Sequence, residues 1–170
     1  MVKLINKSEK IFIAGSSGMV GGALKRALHN RGYGNELEGG KLLYPTRNNL
    51  NLEEYTQVER WFAEEKPSIV IIAAAKVGGI FANQTYKANF IYENLMIQSN
   101  LINASYLSGV KKLIFLGSSC IYPKYSKQPI KEEYLLSGKL ETTNDAYAIA
   151  KIAGIKMCES YNQQYKLNYI

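Results

Sequence analysis

At 170 residues, with 46% hydrophobic and 21% charged side chains, the chain has the length and composition of one globular domain. No apolar run approaches the roughly 20 residues of a membrane span, and residues 1–9 read as a polar, lysine-bearing tail without the apolar core of a signal peptide. The net charge of +7 comes from scattered basic residues, which argues against a nucleic-acid stripe, and two cysteines are no disulfide framework, so a reducing cytoplasm is the expected compartment.

From residue 10 the chain alternates between strand and helix patterns. Residues 10–14 form a buried strand, Ile11-Phe12-Ile13-Ala14 being continuously apolar. Residues 18–31 place Val20, Ala23, Leu24, Ala27 and Leu28 at helical spacing. Gly32 and Gly34 stop that helix, and Asn35 to Gly40 reads as a solvated insertion. Leu42-Leu43-Tyr44 is a short second strand ended by Pro45. Asn51 is the expected N-cap of a helix through Lys66, with Glu53 and Glu54 near its positive end, and Pro67 terminates it. Ser68 to Ala75 is a strand apolar on both faces. A long helix is expected over 84–107, a strand over 112–116, a turn-rich loop, and a helix over 145–164. Leu167 to Ile170 opens one more strand, counted as the sixth. Such alternation predicts an α/β, doubly wound, mostly parallel Rossmann sheet with helices on both faces. The expected organisation is one dinucleotide-binding domain over 10–170, truncated at that sixth strand and lacking a substrate domain.

Three groups of residues carry chemistry. Gly15, Gly18 and Gly21 lie between a strand and a helix. There the first permits a tight turn, the second lets a pyrophosphate approach the helix N-terminus, and the third allows close helix–strand packing. No Gly-Lys-Ser/Thr follows, so a P-loop is excluded. At the end of the second strand the acid of an NAD-type ribose site is missing. Arg47 stands there instead and suits a 2′-phosphate, its alternative being a solvated loop arginine.

Tyr147 and Lys151, four apart, project from one helix face. An ammonium beside the phenol is expected to lower its pKa and fit it to protonate a carbonyl oxygen while hydride reaches carbon. Ser118, at the C-terminal end of a strand, can hold the same oxygen. Cys120 is either a base that takes a proton alpha to a carbonyl or a small buried hydrophobe. Cys158 reads as core, His29 as a solvated or capping residue, and no metal-ligand spacing is present.

Four strings extend this pattern: Ala14-Gly15-Ser16-Ser17-Gly18-Met19-Val20-Gly21, Ala73-Ala74-Ala75-Lys76-Val77-Gly78-Gly79-Ile80, Leu116-Gly117-Ser118-Ser119-Cys120-Ile121-Tyr122-Pro123-Lys124 and Tyr147-Ala148-Ile149-Ala150-Lys151-Ile152-Ala153-Gly154. Together they resemble the GDP-L-fucose synthase family of the extended short-chain dehydrogenase/reductases. The resemblance implies NADPH-dependent 3,5-epimerisation and C4 reduction of GDP-4-keto-6-deoxy-D-mannose. It implies cofactor contacts from Gly15, Ser16, Ser17, Gly18, Met19, Val20, Gly21, Arg47, Asn51, Leu52, Ala74, Ala75, Leu116, Gly117, Ser118, Ser119, Tyr147 and Lys151. Ser118, Cys120, Tyr147 and Lys151 would be the catalytic set, and helices 84–107 and 145–164 would pair in a homodimer. Two departures stand out. Ser17 replaces an arginine that some members carry in the glycine turn, and the family's histidine acid/base lies beyond Ile170. A different nucleotide-sugar epimerase or dehydratase, or a non-catalytic NADP-binding sensor, are the alternatives.

Overall fold

Four apolar runs pair into one parallel sheet in the computed structural model, which describes residues 5–170. Residues 1–4 of the expected tail lie outside the described residues. The strands are β1 (Lys10–Ala14), β2 (Lys41–Leu43), β3 (Ile69–Ile72) and β4 (Lys112–Phe115), in the order β2-β1-β3-β4. The register sets Ile11 opposite Ile69 and Ala14 opposite Ile72, and Ile72 opposite Phe115. Successive side chains of a strand face opposite ways, so each central strand feeds two cores. Phe12, Ala14, Val70 and Ile72 face one core; Ile11, Ile13, Ile69 and Ile71 face the other. Burial on both faces is the reason these strands carry no alternating pattern.

Three helices cover the first face: α2 (Tyr55–Glu65), α4 (Lys87–Leu107) and α5 (Asp145–Tyr165). Trp61 and Phe62 of α2 meet the Phe12 ring, with centroids 4.5 and 5.8 Å away. The other face is met by α1 (Met19–Asn30) through Leu24 and Leu28. The expected doubly wound, parallel architecture is therefore present.

Several boundaries differ from the sequence reading. Asn51 is not the N-cap of α2. Its side-chain carbonyl accepts from the Glu53 backbone N–H at 3.2 Å, a local turn that delays the helix to Tyr55. The helix expected over 84–107 is two: α3 (Ile80–Thr85) and α4, separated at Tyr86, whose φ of −111° and ψ of 38° leave the helical region. The strand expected over 68–75 has its ladder only at Ile69–Ile72, and Ala73 to Ala75 continue as an extended lip. Tyr169 bridges Leu113 in parallel, with the Ile170 N–H donating to the Leu113 carbonyl at 2.9 Å. In this chain's own order that is a fifth strand position, not a sixth, because α2 leads into β3 with no strand between.

Gly154 lies where α4, α5 and β4 meet. A Cβ there would stand 2.5 Å from the Phe115 ring and 3.0 Å from the Gln98 side chain. Gln98 is itself fixed, donating to the Ala150 carbonyl at 2.6 Å. Overpacking of this kind costs about 1–3 kcal/mol, more than the roughly 1 kcal/mol that Gly→Ala returns within a helix. Gly154→Ala is therefore expected to lower the urea midpoint of unfolding; a raised midpoint would show that Phe115 yields freely.

Candidate active site

The glycine turn is shaped by a collision avoided. Gly15 has φ of +83°, and a Cβ on it would lie 2.6 Å from the Ala74 nitrogen. Only glycine lets β1 leave the sheet so close to the end of β3. A Cβ at Gly21 would in turn strike the Gly15 carbonyl, so α1 rests directly on the turn. The first turn of α1 has no side-chain cap and no acidic residue. Its free N–H groups and positive dipole end suit an anion.

That helix start opens on a cavity of about 580 Å³. Gly15, Ser16, Ser17, Gly18, Met19, Val20, Gly21, Arg47, Asn51, Leu52, Ala74 and Ala75, among the positions the sequence reading names for the cofactor, line it. Its remaining walls include Ala73, Lys76, Val77, Glu53, Glu93 and Ile97, which that reading did not count as site residues. Apolar alanines, an uncapped helix N-terminus and an arginine on one rim form a lining that fits a dinucleotide. A wider cleft of about 870 Å³ lies along β2 and α1 and contains none of the three chemical motifs.

Two ion pairs stand in the cavity wall. Arg47 Nη2 is 2.8 Å from Glu53 Oε1, and Lys76 Nζ is 3.2 Å from Glu93 Oε2. The backbone at Lys76 is clamped by buried Asn94. Its side-chain carbonyl accepts from the Lys76 N–H at 2.9 Å, and its amide donates to the Lys76 carbonyl at 3.0 Å. A polar residue buried in the middle of an apolar helix was the signal available in the sequence, and it applies to Gln98 one turn later as well.

Leu116, Gly117, Ser118, Ser119, Tyr147 and Lys151 do not line this cavity; they gather at the C-terminal end of β4, the next strand over from β3. Ser118 caps a 3-10 turn at Ser119–Ile121, its Oγ accepting from the Cys120 N–H at 3.3 Å. Lys151 is only 3% exposed. Its ammonium donates to the Leu116 carbonyl at 2.9 Å and sits 4.5 Å from the Phe115 ring centre and 6.0 Å from that of Tyr147. Burial depresses its pKa to about 8.

Tyr147 does not behave as the sequence reading expected. Burial pushes its phenol above the usual value, with a smaller push from the Cys120 charge, while a hydrogen bond with Ser118 pulls the other way. The Lys151 ammonium is spent on the Leu116 carbonyl and a half-buried phenol loses water, so desolvation wins. Cys120 is partly exposed beside this phenol, whereas Cys158 is buried in the core, its thiol pushed up to about 12. His29 is exposed in the last turn of α1. No group of three metal-ligating side chains occurs among the described residues.

Known proteins share much of this sequence and its fold. The chain is 56% identical to a GDP-L-fucose synthase of Escherichia coli (strain K12) over 161 residues, covering 95% of this chain and 48% of that protein. It is 54% identical to a putative GDP-L-fucose synthase 2 of Arabidopsis thaliana, covering 98% of this chain and 49% of that protein. The solved structure of MlghC, a GDP-mannoheptose C4 reductase from Campylobacter jejuni with NADP bound, superposes with a TM-score of 0.91 at 46% identity, covering 98% of this chain and 51% of that one. The chain thus spans about half the length of the curated relatives it matches. Residues 11–170 match the model of the NAD dependent epimerase/dehydratase family, and with the glycine turn, parallel sheet and Tyr147–Lys151 helix in place, the chain belongs to that family.

Proposed function

We propose that the chain is the cofactor-binding half of an NADPH-dependent enzyme that epimerises C3 and C5 of GDP-4-keto-6-deoxy-D-mannose and reduces C4, giving GDP-L-fucose. The observation that carries this reading is the convergence of Ser118, Cys120 and Tyr147 near buried Lys151, at the end of β4 and separated from the glycine turn by β3. Identity of 54–56% to proteins named GDP-L-fucose synthase supports the substrate.

When bound, the cofactor supplies the hydride for C4. The α1 N-terminus, lacking any acid in its first turn, would hold the pyrophosphate, and Arg47 the 2′-phosphate. Lys151 would hold the nicotinamide ribose. Ser118 donates a hydrogen bond to the C4 oxygen, and Tyr147 gives that oxygen a proton as the carbonyl is reduced. A phenol raised by burial stays protonated at neutral pH, the state a proton donor needs. Cys120 would be one of two acid/base groups at C3 and C5: one takes the proton that the C4 carbonyl acidifies, and the other returns a proton to the opposite face of the same carbon before reduction.

Nucleotide recognition would reside in the half of the relatives' length that this chain does not span. On this reading the isolated chain binds NADPH and turns over little substrate, because remote binding energy is missing. Tyr92 of α4 and Ile149 of α5 are exposed apolar groups, which supports pairing of these helices in a homodimer. No helix among the described residues is long and apolar enough to cross a membrane, in keeping with a cytoplasmic site of action. A second reading, C4 reduction of a GDP-heptose, draws on the 46% identity to MlghC. Assaying a full-length protein carrying this chain with both 4-keto sugars separates the two.

Two outcomes are expected. Arg47→Ala should weaken NADPH by about tenfold or more and leave NADH nearly unchanged, read by quenching of protein fluorescence in a titration. A retained preference would remove Arg47 as the phosphate reader. In the full-length protein, Tyr147→Phe should cut NADPH oxidation by ~10²–10⁴ while solvent deuterium still enters C3 or C5. Cys120→Ser should lose both; mass spectrometry of product formed in heavy water decides, and undiminished deuterium with Cys120→Ser would return that cysteine to a packing role.

A further inference from the structure

The sequence places no acid at the end of β2, yet the fold delivers one to the same rim from the turn that precedes α2. Glu53 lines the cavity beside Arg47, and its Oε1 is 2.8 Å from Arg47 Nη2. The two partners are unequally held. The Glu53 side chain is 23% exposed and its backbone N–H is tied to Asn51 Oδ1 at 3.2 Å, whereas the Arg47 side chain is 75% exposed. The carboxylate is therefore the fixed member and the guanidinium the one that adjusts.

We propose that Glu53 is a specificity-determining residue of the cofactor cavity, whose charge restrains the preference for NADPH over NADH. The proposal rests on the reading of this cavity as an NADP(H) site. A 2′-phosphate bound to Arg47 shares one guanidinium with the Glu53 carboxylate, which brings the two anions within about 7 Å, inside a Debye length at ordinary salt. The phosphate must either displace Glu53 from Arg47 or sit beside it. Both cost affinity, and neither cost falls on NADH, whose 2′-hydroxyl is neutral. Arg47 thus attracts the phosphorylated cofactor and Glu53 limits how strongly.

Glu53→Gln tests this cleanly, since the amide keeps the shape and can still accept from Arg47 while the charge is gone. Dissociation constants of NADPH and NADH are measured by fluorescence titration of the purified chain at low and high salt, with circular dichroism to verify the fold. The proposal expects NADPH to tighten about three- to tenfold in low salt, with a smaller gain in high salt, and NADH to change by less than about twofold. Unchanged or weaker NADPH binding by Glu53→Gln would overturn it, and would make Glu53 a support for Arg47. Equal tightening of both cofactors would overturn it too, by showing a general charge effect. A wild-type chain that binds neither cofactor would overturn the underlying NADP(H) reading, and this proposal with it.

Discussion

The close passage of Gly15 against the Ala74 backbone is the constraint from which the site follows. β1 and β3 are neighbours in a parallel sheet, so their C-terminal ends emerge on the same edge. A side chain at residue 15 would push the turn away from that edge, and α1, which rests on the turn through Gly21, would move with it. The start of α1, the alanine lip at Ala73 to Ala75 and the cavity between them exist in one arrangement because the backbones are permitted to touch. The β4 terminus, where Ser118, Cys120, Tyr147 and Lys151 gather, is the next one along the same edge.

The β4 end holds one group that opposes stability. Lys151 is buried with a carbonyl and an aromatic face for company, and its pKa falls from 10.5 to about 8. A lysine whose folded pKa is depressed penalises the folded state while protonated; that penalty is in force below about pH 8 and is relieved as pH rises from there toward 10.5. A core that tolerates such a group at neutral pH is consistent with a site kept for chemistry. Asn94 acts in the opposite sense, converting its buried amide into a clamp on the Lys76 backbone with every one of those bonds on the main chain.

Much of this was legible in the sequence, and the gaps have physical causes. The strands, the glycine turn and the Tyr147–Lys151 helix announce themselves through local spacing, because each depends on neighbours a few residues away. The N-cap of α2 was misplaced because Asn51 serves a turn as readily as a cap, and only the path toward Leu50 and Arg47 decides between them. The break at Tyr86 leaves an apolar pattern that runs through it. The Arg47–Glu53 and Lys76–Glu93 pairs depend on where loops return, which no periodicity encodes. The Tyr147 phenol was expected to be lowered by Lys151, yet spacing on a helix does not report that the ammonium turns to Leu116.

The account stands most directly on the Gly15 crossing, and one titration interrogates it: NADPH binding to the purified chain with Gly15→Ala, followed by fluorescence, with circular dichroism checking the sheet. Displacement of the turn from Ala74 should weaken NADPH on the order of a hundredfold or abolish binding, while the secondary structure persists. A folded Gly15→Ala chain that binds NADPH as tightly as the parent would contradict the claim that this backbone contact builds the cofactor cavity.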